Sequence, residues 1–202
     1  MEGEVSKFGT RGFDFNFHIA RLCADLAARL PELAHVDMTR VAIRYCQVRK
    51  AVPHGLQATL TPLRFESGRL YTERRGRRWT IERIYDAEGR EMLYLLSFYL
   101  PRFLNHSFRE KLSTVVHELW HISPDFNGDL RRFEGRCYAH GPSERDYHQS
   151  MRELADRWLA LKPPVETYRF LKTGFRQLQR KHGGVYGARI ATPRLIPADR
   201  AA

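Results

Sequence analysis

The sequence predicts an α+β fold in which a small mixed or antiparallel sheet packs on helices. Three observations support this class: a helical pattern opens the chain, four strand-like segments follow it, and two further helical patterns come after them. The chain has 202 residues, 43% hydrophobic and 28% charged, which is enough for one well-packed domain. We therefore expect a single domain, spanning residues 1–164, with a C-terminal extension.

The first helix is expected over residues 15–30, where apolar residues recur at helical spacing and Pro31 ends the pattern. Four segments rich in β-branched and aromatic residues then predict strands, at residues 41–48, 56–65, 79–85 and 91–99. A short turn at residues 86–89 separates the last two segments, and we expect it to join them as a hairpin.

The next helix is expected over roughly residues 107–122. Ser107 followed by Glu110 is the capping-box pattern of a helix start, and Pro124 lies just past the end. Its apolar stripe consists of Phe108, Leu112, Val115, Val116, Leu119, Trp120 and Ile122. Such a stripe indicates a helix packed into the core.

The C-terminal half continues with a helical pattern over residues 147–161. After Pro163 and Pro164, residues 165–181 predict one amphipathic helix, and residues 183–202 form a basic tail rich in Gly and Pro. This tail is expected to be partly disordered or to dock across the domain as a strand. Residues 165–202 are therefore assigned to a C-terminal basic helix and extended tail.

The pentapeptide His117-Glu118-Leu119-Trp120-His121 lies inside the 107–122 helix. Residues four apart on a helix face the same side, about 5–6 Å from each other, so both imidazoles can hold one metal ion. Glu118 can then take a proton from a water on the metal without being a ligand itself. The pattern predicts a zinc hydrolase with His117 and His121 as ligands and Glu118 as the general base.

A catalytic zinc site needs a third protein ligand and an open fourth position. The metzincin continuation is excluded, because Pro124 and Asn127 stand where that motif has glycine and histidine. Several downstream residues remain as candidates: His140, Glu153, Glu134, Asp125 and Cys137. The oxyanion-stabilising group is likewise not assigned among the nearby Tyr138, Tyr147, His148 and Arg136.

The block from His117 to Pro142 resembles the SprT-like zinc metallopeptidases and, more narrowly, a family of phage metallopeptidases. The residues that carry this resemblance are the pentapeptide, the segment Ser123-Pro124-Asp125-Phe126-Asn127-Gly128-Asp129-Leu130-Arg131-Arg132, and Gly135-Arg136-Cys137-Tyr138-Ala139-His140-Gly141. The resemblance implies a zincin-like domain, zinc held by His117, His121 and His140, and a protein or peptide substrate. It implies that Glu118 is the catalytic base.

The chain departs from many SprT-like proteins in one respect. It has three cysteines, Cys23, Cys46 and Cys137, and none belongs to the C-x-x-C pairs of a C-terminal zinc ribbon. Any contact with nucleic acid is therefore expected from charge alone, since the formal net charge is +11. Two groups of cations could contact phosphates non-specifically: Arg74, Arg75, Arg77 and Arg78 in an expected hairpin loop, and Arg176, Arg180 and Lys181 in the last helix. The competing interpretation is a basic nucleic-acid-associated phage protein in which zinc is only structural.

No apolar run is long enough to span a bilayer, and no leader pattern opens the chain, so neither membrane insertion nor export is expected. The three cysteines are expected to remain thiols in a cytoplasmic location. The sequence leaves the oligomeric state open.

Overall fold

The computed structural model describes residues 12–49, 54–132 and 144–198, with side chains in the last range from residue 148 onward. The architecture is α+β, as the sequence predicts. Within the described residues, helices pack beside a central three-stranded sheet, and a smaller three-stranded sheet lies apart from it.

Eight strands are described: β1 (Phe13–Asp14), β2 (Val41–Gln47), β3 (Ala58–Pro62), β4 (Thr72–Arg74), β5 (Arg77–Ile81), β6 (Tyr94–Leu100), β7 (Val185–Tyr186) and β8 (Leu195–Pro197). The α-helices are α1 (Phe15–Arg29), α2 (Phe108–Trp120), α3 (Glu144–Ala160), α4 (Val165–Tyr168) and α5 (Phe175–His182). The predicted first helix, strands at β2, β3 and β6, motif helix and following helix are therefore confirmed, with small shifts at their ends.

The central sheet is mixed and has the strand order β2-β6-β3. Its middle strand β6 pairs in parallel with β2 and antiparallel with β3. Strand β6 is buried along nearly its whole length, as expected of a strand covered on both faces. In the described part of the chain, β3 is thus an edge of this sheet, and α2 packs beside it.

Two sequence predictions are corrected. The segments 79–85 and 91–99 were expected to pair as a hairpin, but β5 pairs with β4 and β8, while β6 pairs with β2 and β3. Only the turn itself forms, with a single antiparallel bridge between Tyr85 and Glu91. The alternating pattern that favours a strand does not determine its partner, because pairing depends on which faces the helices cover.

The expected single helix over residues 165–181 is divided into α4, a 3-10 turn (Arg169–Lys172) and α5. The break falls at Thr173 and Gly174, where Thr173 is extended and Gly174 forms the start of α5. Phe170 and Leu171 are buried by this bend, so tertiary packing outweighs the local helical pattern.

The C-terminal segment docks on the rest of the chain, which is one of the two outcomes that the sequence predicts for the tail. Strand β7 pairs with β1, β8 pairs with β5, and the Tyr45 N–H donates to the Ala188 carbonyl at 2.8 Å. Phe170, Leu171 and Leu178 belong to the same core cluster as the residues of α1 and α2. No described helix is both long and apolar enough to cross a membrane.

Candidate metal centre

Helix α2 holds the pentapeptide in a defined orientation. Ser107 caps the helix with the full capping box: its hydroxyl accepts from the Glu110 N–H, and the Glu110 carboxylate accepts from the Ser107 N–H. Leu112, Val115, Val116 and Leu119 are fully buried and fix the core face of the helix. The remaining face can therefore carry polar chemistry without loss of packing.

The two histidines of the pentapeptide converge. Their Nε2 atoms lie 3.0 Å apart, and their rings meet edge-on at 4.6 Å between centroids. Two imidazole nitrogens bound to one tetrahedral zinc would stand about 3.3–3.4 Å apart, from zinc–nitrogen distances of about 2.0–2.1 Å. Neutral imidazole is also a ligand that zinc accepts readily. His117 and His121 therefore fit two of the ligand positions of such an ion.

Glu118 lies beside them and is buried, with 7% of its surface exposed. Burial raises the pKa of its carboxyl group to about 7, and a hydrogen bond from the Leu60 backbone N–H acts in the opposite direction. A carboxyl group with this pKa can both accept and return a proton near neutrality. This is the behaviour required of a general acid–base.

The contact with Leu60 links the pentapeptide to the edge of the sheet. The Gln57 carbonyl accepts from the Tyr99 N–H of β6, and the Leu63 N–H donates to the Leu93 carbonyl just before β6. Because hydrogen bonding alternates along an antiparallel strand, Ala58 and Leu60 direct their N–H and C=O groups away from β6. The sequence does not indicate this contact, because nearly every residue carries a backbone N–H group, whatever its side chain. The role of the strand depends on its register.

The segment after α2 is tied back onto the helix end. The Arg131 N–H donates to the His121 carbonyl at 2.7 Å, and the Arg131 Nε donates to the Trp120 carbonyl at 2.8 Å. The Arg131 guanidinium also lies over the Trp120 ring, 4.2 Å from its centroid. These contacts stabilise the end of α2 at His121.

Asp129 organises the same loop. Its carboxylate is buried and accepts from the backbone N–H groups of Ser67 and Leu130 and from the Arg132 guanidinium. Burial acts to raise its pKa, but the Arg132 hydrogen bonds and the two N–H groups outweigh it and hold the pKa below its ordinary value. Asp129 therefore joins the loop after α2 to the segment after β3.

The third-ligand candidates divide by position. His140, Glu134 and Cys137 lie outside the described residues. Asp125 is exposed, and the exposed Glu153 accepts a hydrogen bond from Gln149 at 2.9 Å. Among the residues that the structure describes, no three His, Cys, Asp or Glu side chains converge to hold a metal ion. The pair of His117 and His121 is therefore brought together, and the choice of third ligand stays a prediction.

Comparisons with known proteins add no relative. No protein-family model, no curated protein and no solved structure matches the chain.

Proposed function

We propose that this protein is a zinc-dependent metallopeptidase with a zincin-like domain, as the resemblance to the SprT-like and phage metallopeptidases implies. The observation that carries the proposal is Glu118: a carboxyl group buried beside two converging imidazoles, with a pKa of about 7 and a hydrogen bond from an edge strand. Perturbed carboxyl groups of this kind are typical of catalytic positions. The ligands would be His117, His121 and His140.

Zinc bound there would act as a Lewis acid and lower the pKa of a water ligand towards about 7. Glu118 accepts the proton of the attacking water and later returns it to the nitrogen of the leaving amine. The Leu60 N–H holds the carboxyl group in place between these two steps. The outward groups of β3 that Glu118 does not use, which are the Ala58 N–H and C=O and the Leu60 C=O, would offer backbone pairing to an extended peptide substrate.

The competing function, a basic protein with a purely structural zinc, accounts less well for Glu118. A structural site is closed by four protein ligands and gains nothing from a further carboxyl group next to the metal. Burying that group costs stability whenever it is ionised. A catalytic role explains why the cost is retained.

We also propose non-specific nucleic-acid contact at the hairpin of β4 and β5. Its register places Arg74 directly opposite Arg77, and Arg75 and Gly76 form the turn with positive φ angles. Like charges opposite each other destabilise a strand pair, and a bound polyanion would relieve the repulsion. Arg78 lies over the Tyr71 ring at 4.3 Å, and aromatic rings beside cations suit single-stranded nucleic acid.

The proposal is tested by measuring zinc content and hydrolysis on the same preparations. Wild-type protein should hold about one zinc per chain and cleave unfolded protein or a quenched peptide library. Glu118→Gln should keep the zinc but lose activity by about 10²–10⁴-fold, because general base catalysis typically contributes that much. His140→Ala should lose the metal.

Two results would refute the proposal. One is equal cleavage by wild type and Glu118→Gln. The other is the absence of any hydrolysis by zinc-loaded wild type. Retention of zinc by His140→Ala would leave the enzyme class in place but move the third ligand elsewhere.

A further inference from the structure

His148 lies in the second turn of α3 and is exposed to solvent. Its ring is nearly parallel to the ring of His117, with 5.8 Å between the centroids and 20° between the planes. Tertiary packing thus places His148, which is 27 positions after His121 in the sequence, beside the pentapeptide. The sequence alone leaves His148 as one of four candidates for the oxyanion-stabilising group, with Tyr138, Tyr147 and Arg136.

The position of His148 is fixed by the packing of α3 against α2. The two helices run antiparallel, since His117 meets His148 and Arg109 forms an ion pair with Asp156 two turns away. The core face of α3 is buried and consists of Met151, Leu154, Ala155 and Trp158. The Trp158 indole donates to the Asp25 carboxylate at 2.9 Å.

Helix α2 contacts β3 and α3 with different faces. Thr114 and Glu118, four residues apart, face β3: the Thr114 hydroxyl donates to the Gln57 side chain at 3.2 Å, and Glu118 meets Leu60. Arg109 and His117, eight residues apart, face α3. Successive residues of a helix are about 100° apart, so these are two distinct sides of α2.

The pentapeptide therefore lies between β3 and the start of α3. Glu118 meets β3 at Leu60, and His117 meets α3 at His148. A peptide paired with the β3 edge would pass beside the pentapeptide. A carbonyl oxygen on its side nearer α3 would then be within the reach of His148.

We propose that His148 is a catalytic residue that donates a ring N–H to the oxygen of the scissile carbonyl; this inference rests on the proposed peptidase function. His117, His121 and His140 are the proposed ligands, and a catalytic zinc keeps its fourth position open for water, so we assign His148, whose ring lies beside that of His117, to the substrate oxygen and not to the metal.

Hydrolysis proceeds in two stages. The water oxygen forms a bond to the carbonyl carbon, its proton passes to Glu118, and the π electrons of the carbonyl move to the oxygen that accepts the His148 N–H. The C–N bond then breaks as the nitrogen takes the proton from Glu118. The products are a carboxylic acid and an amine, which exchange the remaining proton. His148 stabilises the negative oxygen between the two stages.

The test uses zinc-loaded His148→Ala and His148→Gln, with Arg152→Ala as the matched control. Arg152 is exposed one turn further along α3, so its variant reports any general disturbance of the helix. Four quantities are measured: zinc per chain, kcat and KM for a peptide substrate, and the inhibition constant of a phosphinic peptide that mimics the tetrahedral stage.

For His148→Ala we expect zinc at the wild-type level, KM within about threefold, and kcat lowered by about 10²–10³-fold, the usual effect of removing one oxyanion donor. Binding of the phosphinic peptide should weaken by a similar factor. His148→Gln should recover part of the loss, because its amide can donate. Arg152→Ala should match wild type.

Other outcomes overturn the inference. Loss of zinc from His148→Ala would make His148 a ligand, and an increase in KM at unchanged kcat would make it a residue of substrate binding. Wild-type activity in His148→Ala would give it no role. If zinc-loaded wild type cleaves no peptide, the proposed function itself fails, which is a different result from an active enzyme that tolerates His148→Ala.

Discussion

Glu118→Gln should stabilise the metal-free protein, and the gain should depend on pH. Burial raises the pKa of Glu118 from its ordinary value of 4.5 to about 7. A raised pKa in the folded state means that the contribution of this group to stability is present below pH 4.5 and is lost as pH rises through 7. Glutamine is neutral at every pH, nearly the same size, and can still accept the Leu60 N–H.

The magnitude follows from the two pKa values. Each tenfold change in proton affinity corresponds to about 1.4 kcal/mol, so ionisation of Glu118 in the folded protein costs about 3 kcal/mol at pH 8. The free energy of unfolding of Glu118→Gln should exceed that of wild type by about this amount at pH 8. At pH 5 the difference should have fallen to about 1 kcal/mol or less.

The assay is urea unfolding followed by circular dichroism at several values between about pH 5 and pH 8.5, in chelator. Glu153→Gln is the control, because Glu153 is exposed and should show a flat difference. Saturating zinc should shrink the gain, since a nearby cation favours the ionised carboxylate. A flat difference for Glu118→Gln across this range, or its destabilisation at pH 8, would refute the account of the buried carboxyl group.

Three further predictions concern the rest of the chain. Lys111 is buried, which lowers its pKa to about 8. The folded protein therefore loses this proton at a lower pH than the unfolded chain does. The free energy of unfolding of wild type, relative to that of Lys111→Met, should rise by about 1–3 kcal/mol between pH 8 and pH 10.5. Arg74→Glu should weaken oligonucleotide binding about tenfold at low salt. It should not lower stability, because a carboxylate at position 74 would lie directly opposite the Arg77 cation. Asp129→Ala should cost about 1.5–3 kcal/mol, since it removes the buried carboxylate that accepts from the Ser67 and Leu130 N–H groups.

A separate measurement tests each of these three predictions. For Lys111, the two unfolding curves are compared by urea titration, and parallel behaviour across this pH interval would contradict the prediction. For Arg74, the charge-matched control is Arg152→Glu, and equal weakening by both would show that binding is a diffuse charge effect. For Asp129, thermal unfolding is sufficient, and a wild-type melting temperature would contradict the loop network.

The sequence by itself determined the motif helix and the convergence of its two histidines. Ser107, Glu110 and the apolar stripe of α2 are local signals, and a spacing of four residues on a helix is enough to bring His117 and His121 together. The strands β2, β3 and β6 were likewise visible as segments, because β-branched and aromatic residues favour extended backbone.

The tertiary structure alone decided which segments meet. Strand β5 pairs with β4 and β8 and not with β6, the next strand in the sequence. The predicted C-terminal helix is interrupted at a bend where Phe170 and Leu171 are buried in the core. The burial of Glu118, its hydrogen bond from Leu60 and the approach of His148 to His117 arise in the same way. These contacts depend on packing between distant segments, and the free energy of such packing is set by the whole fold and not by any local pattern.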